Sequence, residues 1–246
     1  MIEKNKILCG DCLTFMRQMP SEFVDLIITS PPYNIKNSTG NGMKCGNGGK
    51  WSRAALIDGY QNYDDNMPYD KYIKWQRDCL TEMMRLIPEN GAVFYNHKWR
   101  VQSGLLQDRR EIIDGFPVRQ IIIWKRKGGI NFNPGYFLPT YEVIYLIAKP
   151  KFVLTQKANA FGDVWEFTQE LNNSHPAPFP VNLIDRIISA TTANLILDPF
   201  MGSGTTAIAA IRNNRDYIGF DISKKYVDMA NERVRQEHNN PRFVFG

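Results

Sequence analysis

Ser30, Pro31, Pro32 and Tyr33 follow a short apolar run, Val24 to Ile28, that reads as a buried strand, so they form the loop at its carboxyl end. Ligands of open α/β sheets bind at that edge. Two consecutive prolines fix two φ angles and remove two donors, which leaves the carbonyls of Ser30 and Pro31 available as acceptors. The set suits an exocyclic NH2 group on a flat heterocycle, whose nitrogen is a poor nucleophile because its lone pair spreads into the ring. The Ser30 hydroxyl and a carbonyl near Pro31 can take its hydrogens and draw it toward tetrahedral geometry, while Tyr33 stacks on the ring face. A proline-rich turn that merely closes a strand explains the same four residues as readily.

A second constellation lies near the other end of the chain. Asn194 to Leu197 reads as a strand, Asp198-Pro199-Phe200-Met201-Gly202-Ser203-Gly204 as a tight turn, and Thr205-Thr206 as the start of a helix. Gly202 and Gly204 let the backbone approach a ligand, and Ser203, Thr205 and Thr206 begin a helix whose free NH groups favour an anion. A plain β-α turn is the alternative. The neighbouring strand, Tyr217 to Asp221, ends in an acid placed to bind two ribose hydroxyls. Lys6 to Cys9 is a further strand, and Asp11 after it is either an acceptor for an adenine amino group or the N-cap of a helix over 12–19. A nicotinamide-dependent oxidoreductase would share the strand, glycine turn, helix and acid. Ala207, however, takes the last glycine position of G-x-G-x-x-G, and that reading leaves Ser30 to Tyr33 unexplained.

Taken together, S-P-P-Y at 30–33 and D-P-F-x-G-S-G-T at 198–205 resemble the motifs of the S-adenosylmethionine-dependent amino-methyltransferases of DNA, which act on N4 of cytosine or N6 of adenine. With the amine motif first and the cofactor motif last, the chain is similar to the circularly permuted β group. The resemblance implies a Rossmann-like class I α/β fold, with a mixed seven-stranded-type sheet and helices on both faces. It implies that Ser30, Pro31, Pro32 and Tyr33 hold the target amine and that Asp198 meets the cofactor ammonium. Phe200, Gly202, Ser203, Gly204 and Thr205 form the rest of the cofactor turn, with Asp11 and Asp221 at the adenosine end. The segment His175-Pro176-Ala177-Pro178-Phe179-Pro180 leads into a helix over Val181 to Ser189, with Phe179 as a wall of the methionine end. The substrate is double-stranded DNA with one base flipped out. Serine at the first motif position favours cytosine N4, with adenine N6 as the alternative. The resemblance leaves room for a homodimer and a cognate restriction endonuclease.

The 246 residues, 43% of them hydrophobic, suffice for one α/β domain with a full core. No run approaches the roughly 20 apolar residues of a membrane span and no signal-peptide pattern opens the chain, so a soluble cytoplasmic protein is expected. A net charge of +5 suits a polyanionic partner without requiring one. The cysteines at 9, 12, 45 and 79 match no disulfide framework, and Cys9-Gly10-Asp11-Cys12 lacks a second half for a metal site, so reduced thiols and no metal are expected.

Cations gather where DNA would pass. Residues 34 to 62 hold six glycines and little apolar periodicity, and read as a mobile flap carrying Lys36, Lys44, Lys50 and Arg53. Segments 125–140, with Lys125, Arg126 and Lys127, and 149–174 are candidate recognition segments. Between them lie a helix over Asp70 to Ile87, strands over 92–96, 117–124 and 141–148, and a helix over 101–114 whose Arg109-Arg110 pair is read as solvated. His97 is read as a hydrogen-bonded edge residue, not a base. A helix from Lys224 to Gln236 and a strand over 242–245 close the chain.

Overall fold

A computed structural model describes residues 2–34, 67–102, 104–126, 134–168 and 179–239. The amine-motif run becomes β2 (Leu26–Thr29), flanked by β1 (Lys6–Cys9) and α1 (Cys12–Gln18) upstream. Then follow α2 (Tyr69–Leu86), β3 (Ala92–His97), β4 (Arg100–Gln102), β5 (Leu105–Gln107), α3 (Arg110–Ile113), β6 (Val118–Lys125) and β7 (Tyr141–Ala148). A 3-10 turn (Gln156–Ala160) precedes β8 (Val164–Glu166), α4 (Val181–Ser189), β9 (Leu195–Asp198), α5 (Thr205–Arg212), β10 (Asp216–Asp221) and α6 (Lys224–Asn239).

The main sheet runs β1-β10-β9-β2-β3-β7-β6-β8. The first five strands are parallel, β7 is antiparallel to both β3 and β6, and β8 adds parallel to β6. Among the described residues the sheet therefore has eight strands; the extra one is β8, three residues too short for periodicity to reveal. Parallel strands are covered on both faces and read as unbroken apolar runs, as β2 does. Alternate residues then divide between two cores: Leu26, Ile28, Ala92 and Phe94 pack with α4 and α5, while Ile27, Val93 and Tyr95 pack with α1 and α2. Helix α4 supplies Val181, Leu183, Ile184, Ile187 and Ile188 to the first core, each worth about 1.5–3 kcal/mol when fully buried.

The two motif strands, distant in sequence, lie side by side. β2 pairs with β9, Leu26 with Ile196 and Ile27 with Leu197. Asp25 fixes one end of the pair, because its Oδ2 accepts from the amides of Asn194 and Leu195 at 2.8 and 2.9 Å. At the carboxyl end the Thr29 hydroxyl donates to Asp198 Oδ1 at 2.7 Å. Both tips are thereby held at one edge.

The helix expected over 101–114 is a correction. Gly104, at φ +77°, turns the chain into the two-stranded ribbon β4–β5, and only the four residues of α3 are helical. Arg109 is a further correction. It adopts the left-handed conformation (φ +58°) and is 2% exposed, its guanidinium 5.1 Å from the Tyr69 ring and 5.7 Å from that of Tyr72. Attraction to two ring faces replaces solvation there; Arg110 is the exposed member of the pair. No helix among the described residues is long and apolar enough to cross a membrane.

Candidate active site

One cavity receives residues from both motifs. Its lining includes Ser30 and Pro32 after β2, Asp198, Phe200, Gly202, Ser203, Thr205 and Thr206 around the β9–α5 turn, Asp11 after β1, Asp221 at the end of β10, and Phe179 before α4. Strand pairing explains the assembly, since every one of these residues lies at or beyond a carboxyl end of β1, β10, β9 or β2, or at the start of a following helix. Trp75 of α2 and Tyr226 of α6 complete the walls. Sequence reading assigned Trp75 only to an apolar helix face.

The turn after β9 is tightly built. Gly204 sits at φ +86°, where a Cβ would lie 2.8 Å from the Ala230 Cβ, so glycine is required for conformation and for helix packing alike. Ser203 is also braced from outside: Arg233 of α6 donates to its carbonyl at 2.8 Å and to its hydroxyl at 2.9 Å. Sequence reading missed that arginine, which lies on the far side of an amphipathic helix.

Three carboxylates face the cavity, each differently held. Asp198 accepts from Thr29 on Oδ1, from Thr206 on Oδ2 at 2.6 Å, and from the Phe200 amide at 3.0 Å. Burial pushes its pKa up to about 6, outweighing those three donors. Asp221 accepts from the amides of Gly202 at 2.9 Å and Ser223 at 2.8 Å, which orients its carboxylate, and burial raises its pKa too. Asp11 is the N-cap of α1, its Oδ1 taking both the Thr14 amide and hydroxyl at 2.8 Å, and it lines the cavity as well. The cap and the ligand contact are therefore compatible.

No Lys, Arg or His is among the described residues lining this cavity. Acidic groups between aromatic and apolar walls suit an elongated ligand with a cationic end, a vicinal diol and a flat ring. A dinucleotide pyrophosphate would bring two negative charges among three carboxylates with no cation in the lining to offset them.

The loop after β2 is fixed by donors from α2. Pro32 O accepts from the Tyr72 hydroxyl at 3.0 Å and Gln76 Nε2 at 3.3 Å. The Tyr72 hydroxyl also meets His97 Nε2 at 2.8 Å. His97 is fully buried at the end of β3, and desolvation lowers its pKa to about 3, so it is neutral at ordinary pH and bonded at the strand edge. Tyr33 is placed differently from the expected stacking platform. Its ring is 6% exposed, 5.0 Å from the His97 ring, and its hydroxyl meets Ser30 Oγ at 2.7 Å, Asn96 Nδ2 at 2.6 Å and Glu142 Oε2 at 3.0 Å. The structure thus sets Ser30 and Pro32 against the cavity and Tyr33 and Pro31 behind them.

Glu142 and Asn96 escaped sequence reading. The available signal was a carboxylate one residue into the apolar strand Tyr141–Ala148. Of the expected DNA-contacting cations, Lys36, Lys50, Arg53 and Lys127 lie outside the described residues. Lys125 pairs with Glu166 at 2.9 Å on the surface, whereas Arg126 turns inward to Glu142 at 3.2 Å. The segment 149–168 contributes Phe152 and Trp165 to the core.

The profile of a family described as "DNA methylase" matches residues 24–232. The Type II methyltransferase M.BglII of Bacillus subtilis is 29% identical, over 96% of this chain and 71% of its own length. Among solved structures, the cytosine-N4-specific PvuII DNA methyltransferase superposes with a TM-score of 0.72 at 18% identity, covering 97% of this chain and 93% of the other. A DNA modification methylase of Thermus thermophilus, TTHA0409, solved with S-adenosyl-L-methionine, gives a TM-score of 0.67 at 22% identity, covering 97% and 95%. These two likenesses concern the fold.

Proposed function

The chain belongs to this DNA methylase family, and on that footing we propose that it methylates N4 of cytosine in double-stranded DNA, using S-adenosylmethionine. The observation that carries the reading is the single cavity joining the Ser30 loop to an all-acidic cofactor site. S-adenosylmethionine supplies an electrophilic methyl group on a sulfonium. Its net positive charge matches the carboxylate lining: Asp221 is oriented for the ribose diol, Asp198 for the ammonium, Asp11 for the adenine amino group, and Phe179 and Phe200 wall the chain between them. Ser203, Gly204 and Thr205 open α5 beneath the carboxylate, where free amides favour an anion.

On the other side of the cavity, Ser30 accepts a hydrogen of the target amine and concentrates the nitrogen lone pair, with the rigid Pro31-Pro32 backbone holding the geometry. Direct displacement needs no covalent enzyme intermediate, and neutral His97 takes no proton. The flipped base loses a few kcal/mol of stacking and pairing, which contacts with the Ser30 to Tyr33 loop and with cations including Lys36, Lys50, Arg53, Lys125 and Lys127 offset. A cytoplasmic location, a homodimer and a cognate restriction endonuclease belong to the same proposal. Serine at position 30 is the feature that favours cytosine over adenine. Mass spectrometry of nucleosides from DNA of cells expressing the protein tests it: N4-methylcytosine is expected, N6-methyladenine alone would replace the base, and neither would overturn the reaction.

A further inference from the structure

Glu142 is 4% exposed near the start of β7 and holds several polar groups together. Its Oε2 accepts from the Tyr33 hydroxyl at 3.0 Å and from Asn96 Nδ2 at 2.8 Å, and its Oε1 lies 3.2 Å from a guanidinium nitrogen of Arg126. An ionised carboxylate only accepts, and a phenol has one hydrogen to give. That hydrogen goes to Glu142. Ser30 Oγ lies 2.7 Å from the same phenol oxygen, so Ser30 is the donor in that contact. Asn96 Nδ2, 2.6 Å from the Tyr33 oxygen and 3.2 Å from Ser30 Oγ, brings further donors and does not reverse the order. The hydrogens thus run from Ser30 to Tyr33 to Glu142, and the Ser30 hydroxyl turns a lone pair toward the cavity it lines.

We propose that Glu142 is a positioning residue that sets this direction through Tyr33, so that Ser30 meets an incoming amino group as an acceptor and not as a competing donor. The inference rests on the role given to Ser30 above. It explains a buried carboxylate that touches neither end of the cofactor site. Glutamine at 142 reverses the chain: Arg126 claims the amide oxygen, the amide NH2 faces Tyr33, the phenol hydrogen swings to Ser30, and the Ser30 hydrogen is pushed toward the cavity.

The test compares wild type, Glu142→Gln, Glu142→Asp, Tyr33→Phe and Glu142→Gln/Tyr33→Phe. Each is assayed for single-turnover methyl transfer to unmethylated genomic DNA, for S-adenosylmethionine affinity, and for the 13Cζ resonance of Tyr33, which Tyr33→Phe identifies. Glu142→Gln is expected to slow transfer by about tenfold to a hundredfold, the range for one charge-assisted hydrogen bond. Cofactor affinity stays unchanged, the Tyr33 resonance shifts, and Glu142→Asp recovers part of the rate. The double variant is expected to be no slower than Tyr33→Phe, because both cut one linkage. A wild-type rate in Glu142→Gln, an unmoved Tyr33 resonance, or losses that add in the double variant would overturn the proposal. Should Glu142→Gln not fold, Tyr33→Phe leaves the Glu142–Arg126 pair in place and must show the same loss; a wild-type rate there overturns it equally. If wild type itself transfers no methyl group, the functional reading fails, while the Tyr33 resonance still decides whether Glu142 directs the network.

Discussion

Replacing Thr29 by valine removes one hydroxyl with almost no change of shape, at the point where the two motif strands are joined. Thr29 is fully buried, and its hydroxyl donates to Asp198 Oδ1 at 2.7 Å across 169 residues of sequence. Valine leaves Asp198 with Thr206 and the Phe200 amide as donors. A hydrogen bond to a charged group contributes about 1.5–3 kcal/mol, against about 1 kcal/mol for a neutral one. Asp198 already sits near pKa 6 because burial disfavours its charge, and losing a donor pushes it higher. Urea unfolding at pH 7.5 should therefore show Thr29→Val destabilised by about 1.5–3 kcal/mol. At pH 5, where the carboxyl is mostly protonated, the penalty should shrink toward the neutral value of about 1 kcal/mol. S-adenosylmethionine affinity at pH 7.5 should fall in the same variant, since fewer Asp198 side chains are ionised. A pH-independent cost, or unchanged stability and affinity, would refute the reasoning that Thr29 supports a charged Asp198.

Three further outcomes follow from the same geometry. Wild-type cofactor affinity should weaken as pH falls through about 6, the Asp198 value, by up to about tenfold per unit for one linked proton; a flat titration calorimetry profile from pH 7 to 5 would contradict it. His97, with a folded value of about 3 against 6.5, is charged only in the unfolded chain over that interval, so stability present above pH 6.5 is lost as pH falls toward 3. In His97→Asn that part of the slope of urea midpoint against pH should disappear, and an unchanged slope would exclude His97 as its source. Gly204→Ala should cost about 1–3 kcal/mol through its left-handed backbone, with the Ala230 contact adding to it, read as a lowered thermal midpoint; a midpoint equal to wild type would show that the turn is not held there.

Much of this architecture is legible along the chain, because the elements that position the site carry local signals. α4 occupies the expected Val181–Ser189, and β2 and β9 are continuous apolar runs of the kind buried parallel strands require. The region 101–114 misled for a local reason, since its spacing suits a helix while Gly104 supplies the positive φ that makes a ribbon. What stayed hidden is non-local. Thr29 reads as the last residue of a strand until the β2–β9 register sets it against Asp198. Arg126 reads as a loop cation until β6 and β7 pair and bring Glu142 beside it. Tyr33 reads as a ring for stacking, and only the third dimension shows its hydroxyl engaged by Asn96 and Glu142.

Transfer of a labelled methyl group from S-adenosylmethionine to unmethylated duplex DNA, followed in wild type and Ser30→Ala, tests most directly whether the two strand tips act on one reaction. Wild type should label the DNA, and Ser30→Ala should bind the cofactor with unchanged affinity while transferring at least about tenfold more slowly, the minimum expected for one lost charge-assisted contact. Equal rates in the two proteins would mean that the Ser30 loop takes no part in the chemistry assigned to the cavity it shares with the cofactor turn.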